Sequence, residues 1–243
     1  MKYQIGIPCG SNSEAYVSFL IDSIKNNTPD VSSFEILLGI DNNSISENAL
    51  SKLKSKLPNI KPISLHTKNS LSLGHGDILD QMLPHFNSDF SVFIDCDSAI
   101  LINDWLEILS SKLKDNKIII GSEYEEGSGK YLKFPNAIFM LFNTKIFKNL
   151  DISFKPSAPP RDVGWEMPVK IKKAGYDGIP LDLISPRQKK TQPYMKFMTQ
   201  EMRGEEYQLN GVPICTHIGR SSSRNFNDPI VNQWKDRVIK WKK

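Results

Sequence analysis

The stretch VFIDCDSAIL, Val92 to Leu101, decides the fold of this chain. Its apolar run begins at Phe90 and has the length of a strand that is buried on both faces of a parallel sheet. Asp95 and Asp97 follow at the carboxyl end of that strand, with Cys96 between them. Strand alternation would place the two carboxylates on one side. Because two close carboxylates repel each other, the pattern indicates a metal ion or a phosphoryl-transfer site, with two solvated turn residues as the alternative.

The segments before this stretch alternate between strand-like runs and helix-like stripes. Strand candidates are YQIGIP, FEILLGI and PISLHT, and helices are expected after Ser13, after Ser46 and, behind the loop KNSLSLGHG, over residues 78–86. This order predicts an α/β fold with a Rossmann-like, mostly parallel central sheet and helices on both faces. Ligands of such sheets bind beyond the carboxyl ends of the strands. Asp41, which ends the second strand, should therefore face the same crevice as the Asp-x-Asp pair.

The second half of the chain is expected to extend the same sheet. It contains a predicted helix over residues 104–114, the strand KIIIG, a long strand over residues 134–143, and a helix from Asp162 through GWEMPVKIKKAGY.

The composition excludes several classes of protein. With 39% hydrophobic and 24% charged residues, the chain is an ordinary globular protein, and its apolar runs are shorter than the roughly 20 residues of a membrane span. The N-terminus lacks a signal-peptide core, so we expect a cytoplasmic protein. Three widely spaced cysteines predict neither disulfides nor a zinc site.

The net charge of +4 is concentrated in RQKK, residues 187–190, and in the C-terminal segment. No dense basic stripe with aromatic residues is present, which argues against nucleic acid. The C-terminal segment places Trp234, Val238 and Trp241 on one helical stripe among lysines. It is either a peripheral contact to an anionic membrane or a helix packed on its own domain.

The order of these features resembles the GT-A-fold glycosyltransferases, closest in style to family 2. An aspartate after strand two, the Asp-x-Asp and an acidic segment before AGY carry the resemblance, which covers Tyr3 to His217. It implies a metal-dependent transferase of polysaccharide biosynthesis, with a UDP-, GDP- or dTDP-linked sugar donor and a glycan, lipid-linked or small acceptor hydroxyl. It favours inversion at the anomeric carbon, with retention as the alternative. It also implies one GT-A domain, with a nucleotide-sugar half (1–121), an acceptor and catalytic half (122–224) and a C-terminal helix (225–243).

The resemblance implies roles for individual residues. Asp95, Asp97 and His217 would hold Mn²⁺ or Mg²⁺, with Asp97 the direct ligand and Asp95 also near the donor ribose. The donor would contact Pro8, Cys9, Ser11, Asp41, Gly74, His75, Gly76, Asp77, Asp95, Arg220 and Arg224. The alternative for Asp41 is a turn residue, and for the two histidines an ordinary loop or core position.

The catalytic base stays open between two residues. In the family an acid near the start of the helix before AGY removes the acceptor proton, but the usual earlier positions hold Val163 and Gly164 here. Asp162 lies just upstream and Glu166 falls on the later acid, and helical spacing of four would place both on one face. Alternatively, Asp162 caps the helix and Glu166 pairs with Lys170.

Other classes of function remain as alternatives. The protein would be a GT-A-like nucleotide-sugar-binding protein if it has lost its base. DCDSAIL also imitates the first motif of haloacid-dehalogenase phosphohydrolases, but no Gly-Asp-x-x-x-Asp follows Asp97. A nucleotidyltransferase would need basic residues in the loop after the first strand, and GIPCGSNSEAY has none.

Overall fold

Two sheets form the framework of the protein. The computed structural model describes residues 2–69, 71–124, 133–157, 161–219 and 225–241. The strands, in chain order, are β1 (Tyr3–Cys9), β2 (Phe34–Asp41), β3 (Ile60–Leu65), β4 (Phe90–Ile94), β5 (Ser98–Ile100), β6 (Lys117–Gly121), β7 (Phe139–Asn143), β8 (Asp177–Pro180), β9 (Asp182–Ile184), β10 (Glu205–Leu209) and β11 (Val212–His217). Seven form the large sheet, in the order β3-β2-β1-β4-β7-β6-β8, and four form the small sheet, in the order β5-β11-β10-β9.

The large sheet is mostly parallel and has helices on both faces. Only β7 runs antiparallel to its neighbours β4 and β6. The helices are α1 (Glu14–Asn27), α2 (Glu47–Lys56), α3 (Leu71–Met82), α4 (Trp105–Ser110), α5 (Thr144–Asn149), α6 (Met167–Lys173) and α7 (Pro229–Lys240). Apolar side chains of α1, α2, α4 and α7 belong to one core, and those of α3, α5 and α6 belong to the other. The predicted α/β architecture is confirmed.

The strand β4 shows why Val92, Phe93 and Ile94 are apolar in succession. Val92 and Ile94 pack in the core with α1, whereas Phe93 packs in the core with α3. Successive side chains of a strand point to opposite faces, so a strand with a core on each side needs apolar residues throughout.

The prediction that the second half only extends the large sheet is wrong. β6, β7 and β8 do join it, but β9, β10 and β11 form a separate antiparallel sheet with β5. Asn210 and Gly211 connect β10 to β11 with positive φ angles of 52° and 76°. This is the geometry of a two-residue hairpin turn, for which Asn-Gly is the strongest sequence signal.

Several predicted boundaries also differ. The helix α3 begins at Leu71, so residues 74–77 are helical and do not form a loop before the helix. A Cβ atom on Gly76 would lie 2.7 Å from the carbonyl oxygen of Phe154, so close packing of the helix overrides the low helix propensity of glycine. Three more elements are shorter than predicted. The strand β7 begins at Phe139 and not at residue 134, and the helix α4 covers Trp105–Ser110 and not residues 104–114. The helix α6 begins at Met167 and not at Asp162.

The C-terminal helix α7 packs on its own domain. Trp234 is fully buried, and its indole Nε1 donates to Thr216 Oγ1 at 3.1 Å. The ring of Trp241 meets that of Phe197 edge to face. The apolar stripe that suggested a membrane contact is thus covered by the protein itself. Among the described residues, no helix combines the length and apolar character that crossing a bilayer requires.

Candidate active site

The Asp-x-Asp segment is a turn that passes the chain from one sheet to the other. Asp95 follows β4 and donates its backbone N–H to Ile138 O at 2.8 Å. Ser98 N–H donates to Asp95 O at 3.1 Å, and the chain then enters β5. Because the chain leaves β4 at Ile94 and turns at residues 96 and 97, strand alternation is not what directs the two carboxylates. They nevertheless point to one place, as predicted. Cys96 is buried.

The small sheet brings His217 to this turn. The register of β5 and β11 pairs Ser98 with His217, and Ile218 N–H donates to Asp97 O at 3.0 Å. His217 Nε2 lies 3.2 Å from Asp97 Oδ1. One ligand atom from each of Asp95, Asp97 and His217 lies within 4.8 Å of the others. Residues that are more than 100 positions apart in the chain therefore meet at one point.

These three side chains fit a divalent cation. Two carboxylates and one imidazole supply oxygen and nitrogen ligands of the kinds that first-row divalent metals accept. Asp95 Oδ1 is buried and accepts no hydrogen bond among the described residues, although His75 Nε2 lies 3.2 Å from it. A bound cation would give this oxygen a direct ligand bond.

Glu205 supports His217 from the opposite side of the ring. His217 Nδ1 lies 3.5 Å from Glu205 Oε2. The same carboxylate accepts from Tyr207 Oη at 2.6 Å and pairs with Arg187 Nη2 at 2.5 Å. Burial lowers the pKa of His217, but Asp97 and Glu205 outweigh burial and hold that pKa well above its usual value. A carboxylate behind a metal-binding histidine fixes the orientation of its ring.

Sequence reasoning missed Glu205, although a signal was present. The register of the β10–β11 hairpin pairs Glu205 with His217, and the Asn-Gly turn locates this hairpin in the sequence. Counting back from that turn in a regular register would pair His217 with Gly204. A register shift between Tyr207 and Gln208 moves the pairing by one residue and places Glu205 opposite the histidine.

His75 reaches the same point from α3. Its Nε2 lies 3.2 Å from Asp95 Oδ1, but the angle between them is not that of a hydrogen bond. Both atoms are buried, and neither makes a hydrogen bond among the described residues. Burial lowers the pKa of His75, but the negative charges nearby outweigh burial and raise this pKa above its usual value. The largest of these contributions comes from Asp95, and Asp162 adds to it. We call Asp95, Asp97, Asp162, His75 and His217 the acid–histidine cluster.

The two candidate bases lie in different surroundings. Asp162 Oδ1 accepts from Ser72 Oγ at 2.6 Å and from Val163 N–H at 2.9 Å, and Asp162 lines two cavities of the cluster. Glu166 accepts from Ser157 Oγ and from Arg161 Nη1 at 2.9 Å. Burial raises the pKa of Glu166, but Ser157 and Arg161 outweigh it and lower that pKa.

The expectation that Asp162 and Glu166 share one helical face is wrong. The residues between them form turns, with Gly164 at a φ of +70°, and the helix starts only at Met167. Tyr124 donates its hydroxyl to Val163 O at 3.0 Å, next to Asp162. Burial and the charge of Asp162 raise the pKa of Tyr124, so this hydroxyl stays protonated.

Two cavities meet at the acid–histidine cluster. The strand-end cavity, of about 560 Å³, extends over the carboxyl ends of β1 and β2 past Pro8 and Asp41. The hairpin cavity, of about 630 Å³, extends toward β10 and β11 past Tyr124, Arg187 and Arg203. Both are within the size range of small-molecule sites. A further cavity of about 760 Å³ lies beside α1 and α2 and contains none of the cluster residues.

The remaining predicted donor residues divide into three groups. Pro8, Ser11, Asp41, Gly74 and His75 line the strand-end cavity. Cys9, Gly76 and Asp77 do not line it: the Cys9 thiol is buried and donates to Ile7 O, Gly76 packs against Phe154, and Asp77 accepts from Thr67 Oγ1. Arg220 and Arg224 lie outside the described residues.

Asp41 is held in place by its neighbours. Its Oδ1 accepts from Thr67 N–H at 2.9 Å and its Oδ2 accepts from Asn42 Nδ2 at 3.0 Å. A carboxylate fixed in this way at the end of a strand can still accept from a ligand, because each oxygen has two lone pairs.

Comparisons with known proteins agree with this geometry. A model of the family described as "Glycosyl transferase family 2" matches residues 5–162, more than half of the chain. Among solved structures, the mannosyltransferase PcManGT from Pyrobaculum calidifontis, in complex with GDP-Man and Mn²⁺, is similar at 14% identity and a TM-score of 0.56, over 74% of this chain and 54% of that one. S. aureus TarS residues 1–349, in complex with UDP-GlcNAc, is similar at 17% identity and a TM-score of 0.47, over 63% and 48%.

At such identity the likeness to PcManGT shows the fold alone, and the chain spans about half the length of these structures. A search of curated proteins found no match. The family match runs from within β1 through the Asp-x-Asp turn to Asp162, and of the strands of the large sheet it leaves out β8. The chain has the GT-A fold and belongs to glycosyl transferase family 2.

Proposed function

We propose that the protein is a metal-dependent glycosyltransferase that moves a sugar from a nucleotide-sugar donor to an acceptor hydroxyl. The observation that carries this proposal is the meeting of two cavities at the acid–histidine cluster. The strand-end cavity would hold a UDP-, GDP- or dTDP-linked donor, and the hairpin cavity would hold a glycan, a lipid-linked sugar or a small acceptor. The donor half would then come from residues 1–121 and the acceptor half from residues 122–224.

The donor's base would lie beside Asp41 and its diphosphate beside Asp97. Asp41 is a fixed carboxylate acceptor at the end of β2, suited to the N–H groups of a base edge. Asp95, Asp97 and His217 would hold Mn²⁺ or Mg²⁺, and the imidazole ligand favours Mn²⁺. The bound cation would neutralise the charge that develops on the leaving diphosphate.

We assign the base to Asp162 and not to Glu166. Asp162 lines both cavities, so its carboxylate lies where donor and acceptor would meet, whereas Glu166 is engaged by Arg161 and Ser157. Asp162 would take the proton of the acceptor hydroxyl as that oxygen forms a bond to the anomeric carbon. The bond from the anomeric carbon to the diphosphate breaks at the same time, and its electron pair leaves with the diphosphate. A single displacement of this kind inverts the configuration.

A screen of nucleotide sugars with and without Mn²⁺ tests the proposal. We expect manganese-dependent binding of one donor and release of its nucleoside diphosphate. Asp162→Asn should reduce transfer by about 10²- to 10⁴-fold while donor binding persists. Glu166→Gln is the matched control and should retain the transfer rate. Full transfer activity in Asp162→Asn would refute the assignment of the base, and binding without turnover in the wild-type protein would favour a sugar-binding protein that is not an enzyme.

A further inference from the structure

A third cavity continues from the hairpin cavity, away from the acid–histidine cluster. This distal cavity has a volume of about 630 Å³ and shares Glu123, Tyr124 and Leu183 with the hairpin cavity. The shared Tyr124 donates to Val163 O, next to the proposed base Asp162. A chain molecule whose reactive end lies at the base can therefore continue past Tyr124 into the distal cavity.

The distal cavity presents one aromatic ring on a firmly held loop. The side chain of Tyr194 is 64% exposed, although large aromatic side chains are usually buried. Its carbonyl oxygen accepts from Gln208 Nε2 at 2.9 Å. Just after it, the fully buried carboxylate of Glu206 accepts the backbone N–H groups of residues 196, 197 and 198 at 3.1, 2.7 and 2.6 Å. The exposure of Tyr194 is thus a property of an anchored loop.

The polar groups of this cavity suit an uncharged ligand with many hydroxyls. Gln188, Thr191 and Gln208 line the cavity with amide and hydroxyl side chains, and the buried Gln188 Nε2 makes no hydrogen bond among the described residues. Lys133 and Lys190 are balanced by Glu123 and Asp182, so the cavity favours neither a polyanion nor a polycation. A pyranose ring has C–H groups on its faces and hydroxyls around its edge, which match an aromatic ring flanked by amide and charged side chains.

We propose that the distal cavity is a second acceptor subsite. It binds the sugar unit next to the one that carries the acceptor hydroxyl, so the acceptor is a neutral oligosaccharide chain of at least two units. This inference rests on the proposed function, and it names the substrate class of that site.

Acceptor length is the variable that tests it. With the donor found in the screen above, nucleoside diphosphate release is measured for neutral mono-, di- and trisaccharide glycosides of glucose, galactose, mannose and N-acetylglucosamine. We expect kcat/KM of the best disaccharide to exceed that of its monosaccharide by about tenfold. Tyr194→Ala should raise KM for the disaccharide and remove most of this advantage, and Tyr194→Phe should restore it. Ile239→Ala, on α7 and 62% exposed, controls for the loss of an exposed side chain and should keep it.

Two outcomes overturn the inference. Donor turnover with equal kcat/KM for mono- and disaccharides, or an advantage that persists in Tyr194→Ala, would refute the subsite and leave the glycosyltransferase intact. An absence of manganese-dependent turnover with every donor would refute the proposed function and the subsite with it.

Discussion

Replacement of Glu205 by glutamine tests how the carboxylate of Glu205 acts on the proposed metal site. Glutamine keeps the shape of the side chain and an oxygen that accepts from Tyr207, but it removes the charge that faces His217 and Arg187. Loss of a carboxylate behind a metal-binding histidine lowers metal affinity by about 10- to 100-fold, equivalent to about 1.4 to 2.7 kcal/mol. The ion pair of Glu205 with Arg187, whose side chain is 49% exposed, contributes at most about 1 kcal/mol to the free energy of unfolding.

The assay is a titration with Mn²⁺, followed by electron paramagnetic resonance, in the presence of a saturating nucleoside diphosphate. Tyr207→Phe is the matched control, since it removes one hydrogen bond from the same carboxylate and leaves its charge. We expect a much smaller change of affinity in this control. If Glu205→Gln binds Mn²⁺ within about twofold of the wild-type protein, Glu205 does not orient the ligand, and the reasoning from the β10–β11 hairpin fails.

Three further predictions concern stability. Trp234→Phe removes the hydrogen bond that the indole N–H donates to Thr216 Oγ1, which keeps its own bond to Glu205 O, and it leaves a space where the larger buried ring packed. It should lower the free energy of unfolding in urea by about 1 to 3 kcal/mol; an unchanged midpoint would contradict this. Gly76→Ala places a Cβ atom 2.7 Å from a backbone oxygen and should cost about 1 to 3 kcal/mol, whereas Gly10→Ala meets no atom within 4 Å and serves as the control. Burial raises the pKa of the Cys9 and Cys215 thiols above that of an unfolded cysteine. The free energy of unfolding should therefore not depend on these thiols below about pH 8.5, and it should fall above that pH by up to about 1.4 kcal/mol per pH unit for each thiol. Urea unfolding across this range measures the fall, and Cys9→Ala should make the free energy of unfolding less dependent on pH.

The parts of the fold that were predictable depend on local sequence patterns. A continuous apolar run predicted β4 because both of its faces are buried, and Asp95 marked its end. Alternation of short strands with amphipathic helices predicted the mostly parallel sheet. The spacing of apolar residues in a strand or a helix reflects which of its faces are buried, so it can be read from the sequence. The order of Asp41, the Asp-x-Asp and the acidic segment before AGY led to a resemblance that implied a role for His217, and the structure brings Asp41, the aspartate pair and His217 together at one cavity.

The parts that were missed depend on contacts between distant segments. Pairing of Ser98 with His217 joins segments that carry no local signal for each other, so the small sheet was invisible to periodicity. The spacing argument for Asp162 and Glu166 assumed a helix, but a glycine at positive φ separates them. Glu205 was missed because a single acidic residue is informative only when its partner across the hairpin is known.

The turn between β4 and β5 places the proposed metal site between the two sheets. Asp95 is fixed by its backbone to the large sheet, whereas Asp97 and His217 are fixed to the small sheet through Ile218 and the β5–β11 register. The described strands of the two sheets share no pairing. A cation held by all three side chains would be a cross-link between two separately hydrogen-bonded bodies, in the sense that a disulfide cross-links two loops. The affinity of the protein for this cation would then depend on how well the two sheets pack against each other. Substitutions of residues that lie between the sheets would change metal binding although none of them contacts the metal.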